Sequence, residues 1–153
     1  PFSHLPNSAM NLSKCKNNYY LERENKQNYF DIAFWDVYDS NGFSIHRGLY
    51  KYNNEFSPLP FIRRNVVTGI IQSMDTKVAH KNLFGVFKLY TNKILECVFI
   101  TRGDSMIREC AGDMVELFDF VKLDTSDENV RKEVSKFFGE EEDGSIEFYV
   151  RFV

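Results

Sequence analysis

The chain has 153 residues, 43% of them apolar and 16% aromatic, and its 22 acidic against 19 basic side chains give a formal charge of −3. That length and apolar share support one domain with a packed core and exclude a disordered chain, and a balanced charge with neither sign gathered into a long block gives no electrostatic footprint for a nucleic-acid backbone. Cys15, Cys97 and Cys110 are widely spaced and match no metal or redox pattern, so they read as free buried thiols of a reducing, cytoplasmic compartment, and no apolar run reaches the about 20 residues of a helical membrane span.

Pro1-Phe2-Ser3-His4-Leu5-Pro6 opens the chain without an initiating Met, as expected of a domain boundary inside a longer polypeptide, with 1–153 as one domain. Ser8 is placed to cap a helix carrying Leu12, Cys15 and Tyr19 on one face. Asn28 to Asp39 predicts a second helix. Its stripe of Phe30, Phe34, Val37 and Tyr38, broadened by Ile32, Ala33 and Trp35, is apolar nearly all round and belongs in the middle of the fold. Asp39-Ser40-Asn41-Gly42 is a turn, and Phe43 to Tyr52 follows as a strand with one wet face. Pro60 to Asp75 has helical spacing of Ile62, Val66, Val67, Ile70, Ile71 and Met74, with a Gly69 that close packing would demand. Leu83 to Tyr90 and Ile94 to Arg102 form an antiparallel hairpin about Thr91-Asn92-Lys93. Met114 to Leu123 adds a strand to the same sheet. Thr125-Ser126-Asp127-Glu128 reads as a capping box for a helix that ends at Gly139. Glu140 to Asp143 is then an acidic turn, and Ile146 to Phe152 alternates like an edge strand. The class is α+β: an antiparallel sheet of about five strands flanked by helices.

Catalytic constellations are sparse. His4, His46 and His80 sit in separate segments without ligand spacing to another His or Cys, so no metal is expected. Phosphate-cradling glycine loops and the Gly-x-Ser-x-Gly elbow are absent, and no cofactor is expected. Asp104, Glu109 and Asp113 share one loop and read as solvated acids rather than a general acid–base pair. Arg102-Gly103-Asp104 and Asn11-Leu12-Ser13 match an adhesion tripeptide and a glycosylation acceptor, patterns common by chance.

Read in order, Pro1-Phe2-x-His4-Leu5-Pro6-x-Ser8, Lys16-x-x-Tyr19, Phe34-Trp35-Asp36, Tyr50-Lys51-Tyr52-Asn53-Asn54-Glu55, Asn65 to Gln72, Met74-Asp75, Arg102-Gly103 and Lys122-Leu123-Asp124 carry a resemblance. From Pro1 to about Phe138 the chain resembles the carboxy-terminal domains of the translation elongation factor 1-gamma family. It departs from the family pattern where relatives carry further tryptophans, near Phe43 to His46 and around Phe137 and Phe138. The resemblance implies an antiparallel sheet with a concave face, joined through a linker to an absent amino-terminal domain similar to glutathione transferases. It also implies a non-enzymatic structural role in the complex that exchanges nucleotide on elongation factor 1-alpha, with the exchange-factor subunit and elongation factor 1-alpha as partners, met mainly through that absent domain.

Two further readings stay open. One is a small-ligand or cryptic enzymatic pocket on the concave face, built from Trp35, Tyr50, Tyr52, Asn65, Gln72 and Arg102. Its competitor is structural: Trp35 as core, Asn65 and Gln72 satisfying backbone, Arg102 paired with a carboxylate. The other is RNA contact, which predicts salt-sensitive binding.

Overall fold

A computed structural model describes residues 2, 4–5, 7–22, 26–104, 106–139 and 144–152. The first helix, α1 (Leu12–Leu21), is capped by Asn11, whose side chain accepts from the Lys14 amide at 3.1 Å. Ser8, expected in that role, instead donates to Asp39 Oδ2 at 2.6 Å and ties the entry segment to the turn before the sheet. Leu12, Cys15 and Tyr19 are buried along one face, as their spacing predicts.

The apolar stretch expected at the centre of the fold is three consecutive pieces: α2 (Lys26–Tyr29), a π-helical turn (Phe30–Phe34) and α3 (Trp35–Val37). It lies in an outer layer. Tyr29, Phe30 and Phe34 are buried, while Ile32 is 74% exposed. The wider π turn rotates the residues after it, so an apparently all-round apolar helix divides into a ring-bearing inner stripe and a wet outer one.

Next come β1 (Phe43–Tyr50), α4 (Pro60–Ser73), α5 (Lys77–Asn82), β2 (Leu83–Tyr90), β3 (Leu95–Arg102), α6 (Ile107–Ala111), β4 (Phe118–Lys122), α7 (Glu128–Phe138) and β5 (Ile146–Phe152). The five strands form one sheet in the order β4-β1-β3-β2-β5, every neighbouring pair antiparallel. β1, expected to have one wet face, is an interior strand between β4 and β3, and its first four residues are all buried. Of the run from Met114, only Phe118 to Lys122 is strand, and Met114 to Leu117 belong to a 3-10 turn. The Asp104–Asp113 loop folds about α6, and its acids separate: Asp104 pairs with Lys122 and Asp113 with Arg108.

Alternation along the strands sends side chains to two cores. On one face Phe87, Leu89, Leu95, Cys97, Phe99 and Phe118 pack with Val67 and Ile70 of α4, with Met74 at its C-cap, and with Ala79, Cys110 and Ala111. On the other Ile45, Phe84, Val86, Val98 and Ile100 meet Cys15 and Tyr19 of α1, Phe30, Phe34, and Val134 and Phe138 of α7. The result is helix, sheet, helix, with all three cysteines buried and free.

Two cross-strand pairs set the closeness of the strands. Gly48 faces Phe120 and Gly85 faces Phe99, and a Cβ at either glycine would come 2.5 Å from the opposing ring. Gly69 differs. A Cβ there would meet nothing within 4 Å, so the close packing expected of it is not what this site requires.

Both ends of α7 and the last strand complete the frame. The cap of α7 is Asp127, which accepts from the Asn129 amide at 2.8 Å, rather than Thr125, and the helix ends at Gly139 as expected. β5 is an edge strand, as expected. Its register with β2 passes from Leu89↔Phe148 to Tyr90↔Ile146 and leaves Glu147 as a bulge. That bulge turns the Glu147 carboxylate toward α4, where Arg63 Nε donates to Oε2 at 3.0 Å and Nη2 bonds Oε1. The expected acidic turn, Glu140 to Asp143, lies outside the described residues.

Candidate functional site

β1 separates the six residues proposed from the sequence into different neighbourhoods. Phe43 at its start is in register with Arg102, and Tyr50 is its last residue. Seven steps of about 3.3 Å put those ends roughly 23 Å apart. Asn65 and Gln72 lie on the exposed face of α4. One pocket therefore does not collect all six; the structure brings together only Tyr50 and Tyr52.

At the Arg102 end, Arg102 Nη1 donates to the Gly42 carbonyl at 2.5 Å, and its guanidinium lies 5.4 Å from the Phe43 ring. The single Trp, Trp35, is half-buried; its Nε1 donates to Ser135 Oγ at 2.9 Å, and Arg131 sits 5.0 Å from its ring. Phe43 and Arg131, the neighbours of these two side chains, line a cavity of about 460 Å³ together with Tyr38, Ser44, Lys122, Asp124 and Thr125; Arg102 and Trp35 themselves are not part of its lining. Its cations are already engaged. Lys122 pairs with Asp104, and Arg131 Nε donates to the Thr125 carbonyl at 2.6 Å.

Beside this cavity the strand pattern Ser44-x-His46 places a hydroxyl and an imidazole on one face, a signal the sequence carried and the reading of isolated histidines missed. Ser44 Oγ and His46 Nε2 are 2.9 Å apart, the spacing of a nucleophile and its base. Proton counting assigns another role. A serine hydroxyl has one proton, and Ser44 gives it to the Gly103 carbonyl at 2.8 Å, so it accepts from His46 Nε2–H and from Thr101 at 3.2 Å. Ser44 is 1% exposed. Burial, assisted by Lys122, pulls the His46 pKa from 6.5 to about 4, so the ring is neutral near pH 7. The network fastens β1 to the end of β3 and does not offer a base to a substrate.

At the other end of β1 lies a shallow groove of about 390 Å³, lined by Tyr50, Tyr52, Glu55, Phe56, Ile62 and Val66. Local chemistry builds it. After Tyr50 the chain turns into a 3-10 segment (Asn53–Glu55), where Asn53 Nδ2 donates to the Tyr50 carbonyl at 2.9 Å and Oδ1 accepts from the Leu95 amide at 2.9 Å. This clamp aims Tyr52 outward and Phe56 inward, 42% and 8% exposed. Pro60 then starts α4 with a ring already suited to the first helical turn, and Ile62 and Val66, one turn apart, form the far wall. Tyr50 packs 5.6 Å from Tyr52 at 72° and 5.2 Å from Phe56 at 31°, centroid to centroid. The sequence pointed to the two tyrosines; the α4 wall comes from tertiary docking that no local pattern reports.

A third depression, about 270 Å³ between α7 and the sheet, is occupied by charge. Arg47 pairs there with Glu96, which also accepts from Tyr90 at 3.1 Å. Among the described residues no group of three or more His, Cys, Asp or Glu is arranged to hold a metal, and no helix is long and apolar enough to cross a membrane.

A family model described as elongation factor 1 gamma, conserved domain, matches residues 1–105. Among curated proteins the chain is similar to elongation factor 1-gamma of Prunus avium, 33% identical over 152 residues that cover 93% of this chain and 34% of that protein. Similarity to elongation factor 1-gamma of Drosophila melanogaster is 31% over 153 residues, 94% of this chain and 34% of the other. For the Danio rerio protein of the same name it is 27% over 144 residues, 90% and 31%. The chain thus spans about a third of the length of the curated relatives it matches.

Proposed function

The chain belongs to the elongation factor 1-gamma conserved-domain family, and from that premise we propose that it is a non-catalytic structural and docking domain of the translation elongation factor 1 complex, supporting peptide-chain elongation in the cytoplasm. The observation that carries the reading is the family match, extended by relatives of that name along nearly the whole chain. The chemistry of the site agrees with it. The Ser44–His46 pair beside the larger cavity has its hydroxyl proton committed to a backbone carbonyl, and the groove at the far end of β1 is apolar and aromatic, a surface suited to a partner. Its partners are the exchange-factor subunit and elongation factor 1-alpha, reached mainly through an amino-terminal domain beyond this chain.

Nucleotide release from elongation factor 1-alpha provides the test. Added alone, the chain is expected to leave the release rate of labelled guanine nucleotide unchanged, and added to the exchange-factor subunit it is expected to leave that subunit's acceleration intact. Acceleration by the chain alone overturns the non-catalytic reading.

A further inference from the structure

We propose that the groove between the end of β1 and α4 binds an extended, proline-rich segment carrying a basic residue. This deepens the docking reading and rests on it, naming the chemistry of what docks. Rings set the shape. Tyr50 stands between Tyr52 and Phe56 at centroid separations of 5.6 and 5.2 Å, so Tyr50 and the exposed Tyr52 make one apolar wall, the buried Phe56 lies beneath it, and Ile62 and Val66 stand opposite: a shallow aromatic trough rather than one deep hole. A pyrrolidine ring is compact, apolar and already fixed in φ, so it seats in such a trough with little loss of conformational freedom. In a polyproline II helix, rings three residues apart return to the same side after about 9 Å, presenting a row of them to one groove.

Hydrogen bonding favours the same ligand over a helix. Among the described residues neither the Tyr50 nor the Tyr52 hydroxyl makes a hydrogen bond inside the protein, so both are donors at the groove. Polyproline II carbonyls have no internal partners and accept from such donors. An α-helix has its carbonyls satisfied along its length, which would leave both phenols without acceptors. Burial first, and then Glu55, raises the Tyr50 pKa above its usual 10, which keeps that phenol protonated as a donor. Charge supplies the last element. Among the described residues Glu55 is the one acidic or basic side chain lining the groove, and it is exposed, so a ligand with an adjacent arginine or lysine gains a complementary contact.

The test is a titration of the isotopically labelled chain with a synthetic peptide of ten prolines flanked by one arginine at each end, followed by amide shifts. Saturable shifts confined to Tyr50–Val66 are expected. Tyr52→Ala, an exposed position, should weaken binding at least about tenfold. Tyr52→Phe should weaken it roughly 3–10-fold through loss of one hydrogen bond, and Glu55→Lys should remove the preference for arginine over glutamate flanks. Absence of saturable shifts overturns the proposal, as does equal binding of a helix-forming peptide with alanine at every proline position. Concentration-dependent dimerisation of the chain alone, abolished by Tyr52→Ala, also overturns it, because the groove then belongs to a second copy. Each negative result leaves the nucleotide-release comparison untouched, so failure of the groove and failure of the docking reading are separable.

Discussion

Adding one methyl group to glycine has opposite consequences at different positions of this protein. Gly48→Ala and Gly85→Ala drive a Cβ to 2.5 Å from the rings of Phe120 and Phe99 in the middle of the sheet, and each is expected to cost about 1–3 kcal/mol in urea unfolding. Gly69→Ala fills empty space on an exposed helical face and is expected to add about 0.5–1 kcal/mol, since alanine restricts the unfolded chain and favours the helix. A single charge has a comparable reach. His46 takes up a proton near pH 6.5 when unfolded but only near pH 4 when folded. Between those values the unfolded state binds more protons, so the His46 contribution is complete above pH 6.5 and declines as pH falls toward 4. Partial solvent screening considered, the loss is roughly 2 kcal/mol by pH 4.5. Replacing the ring by His46→Gln should flatten the difference between urea midpoints at pH 7 and 4.5. A variant with the wild-type slope would assign the acid sensitivity to carboxylates, of which Asp39 and Asp124 are both held below their usual range by hydrogen bonds from serine.

At the scale of an element, α7 shows how a start signal can be right in kind and displaced by two residues. Thr125-x-x-Glu128 has the capping-box pattern, yet Asp127 caps the helix, while Thr125 gives its carbonyl to Arg131. Asp127→Ala is therefore expected to cost about 1 kcal/mol in thermal unfolding, and Thr125→Ala distinctly less. The reverse order would restore Thr125 as the cap. What was legible in the sequence follows the same division. The β2–β3 hairpin, α4, α7 and the alternating β5 were readable because their periodicity is local and strong. The interior position of β1 was not, because burial of Ser44 and His46 depends on a polar network reaching to Thr101 and Gly103, far along the chain. The π turn within the second helical stretch was also hidden, since Phe30 to Phe34 fits a regular apolar helix equally well by composition. The candidate groove was half legible: tyrosines at a strand end mark it, but Ile62 and Val66 enter only once α4 docks.

Across the whole molecule, one sheet serves two cores, and neither face can loosen without the strands they share. Phe84 belongs to one core and Phe87 to the other, three residues along β2. Phe84→Ala and Phe87→Ala are each expected to cost about 3–5 kcal/mol. Trp35 fluorescence, which reports the α1 and α7 side alone, should still unfold at the same midpoint as far-UV circular dichroism in both variants. Separate midpoints would show two independent halves. The sheet order also governs how this protein is made. β2 has the sequence Leu83-Phe84-Gly85-Val86-Phe87-Lys88-Leu89-Tyr90, and its outer partner, β5, comes last along the chain among the strands of this sheet. At about 5–20 residues per second, the 55 residues between Tyr90 and Ile146 take a ribosome roughly 3–11 s to deliver. For that interval the apolar β2–β3 hairpin has one edge without its mate, which makes the arrival of β5 a step at which the growing polypeptide needs a chaperone.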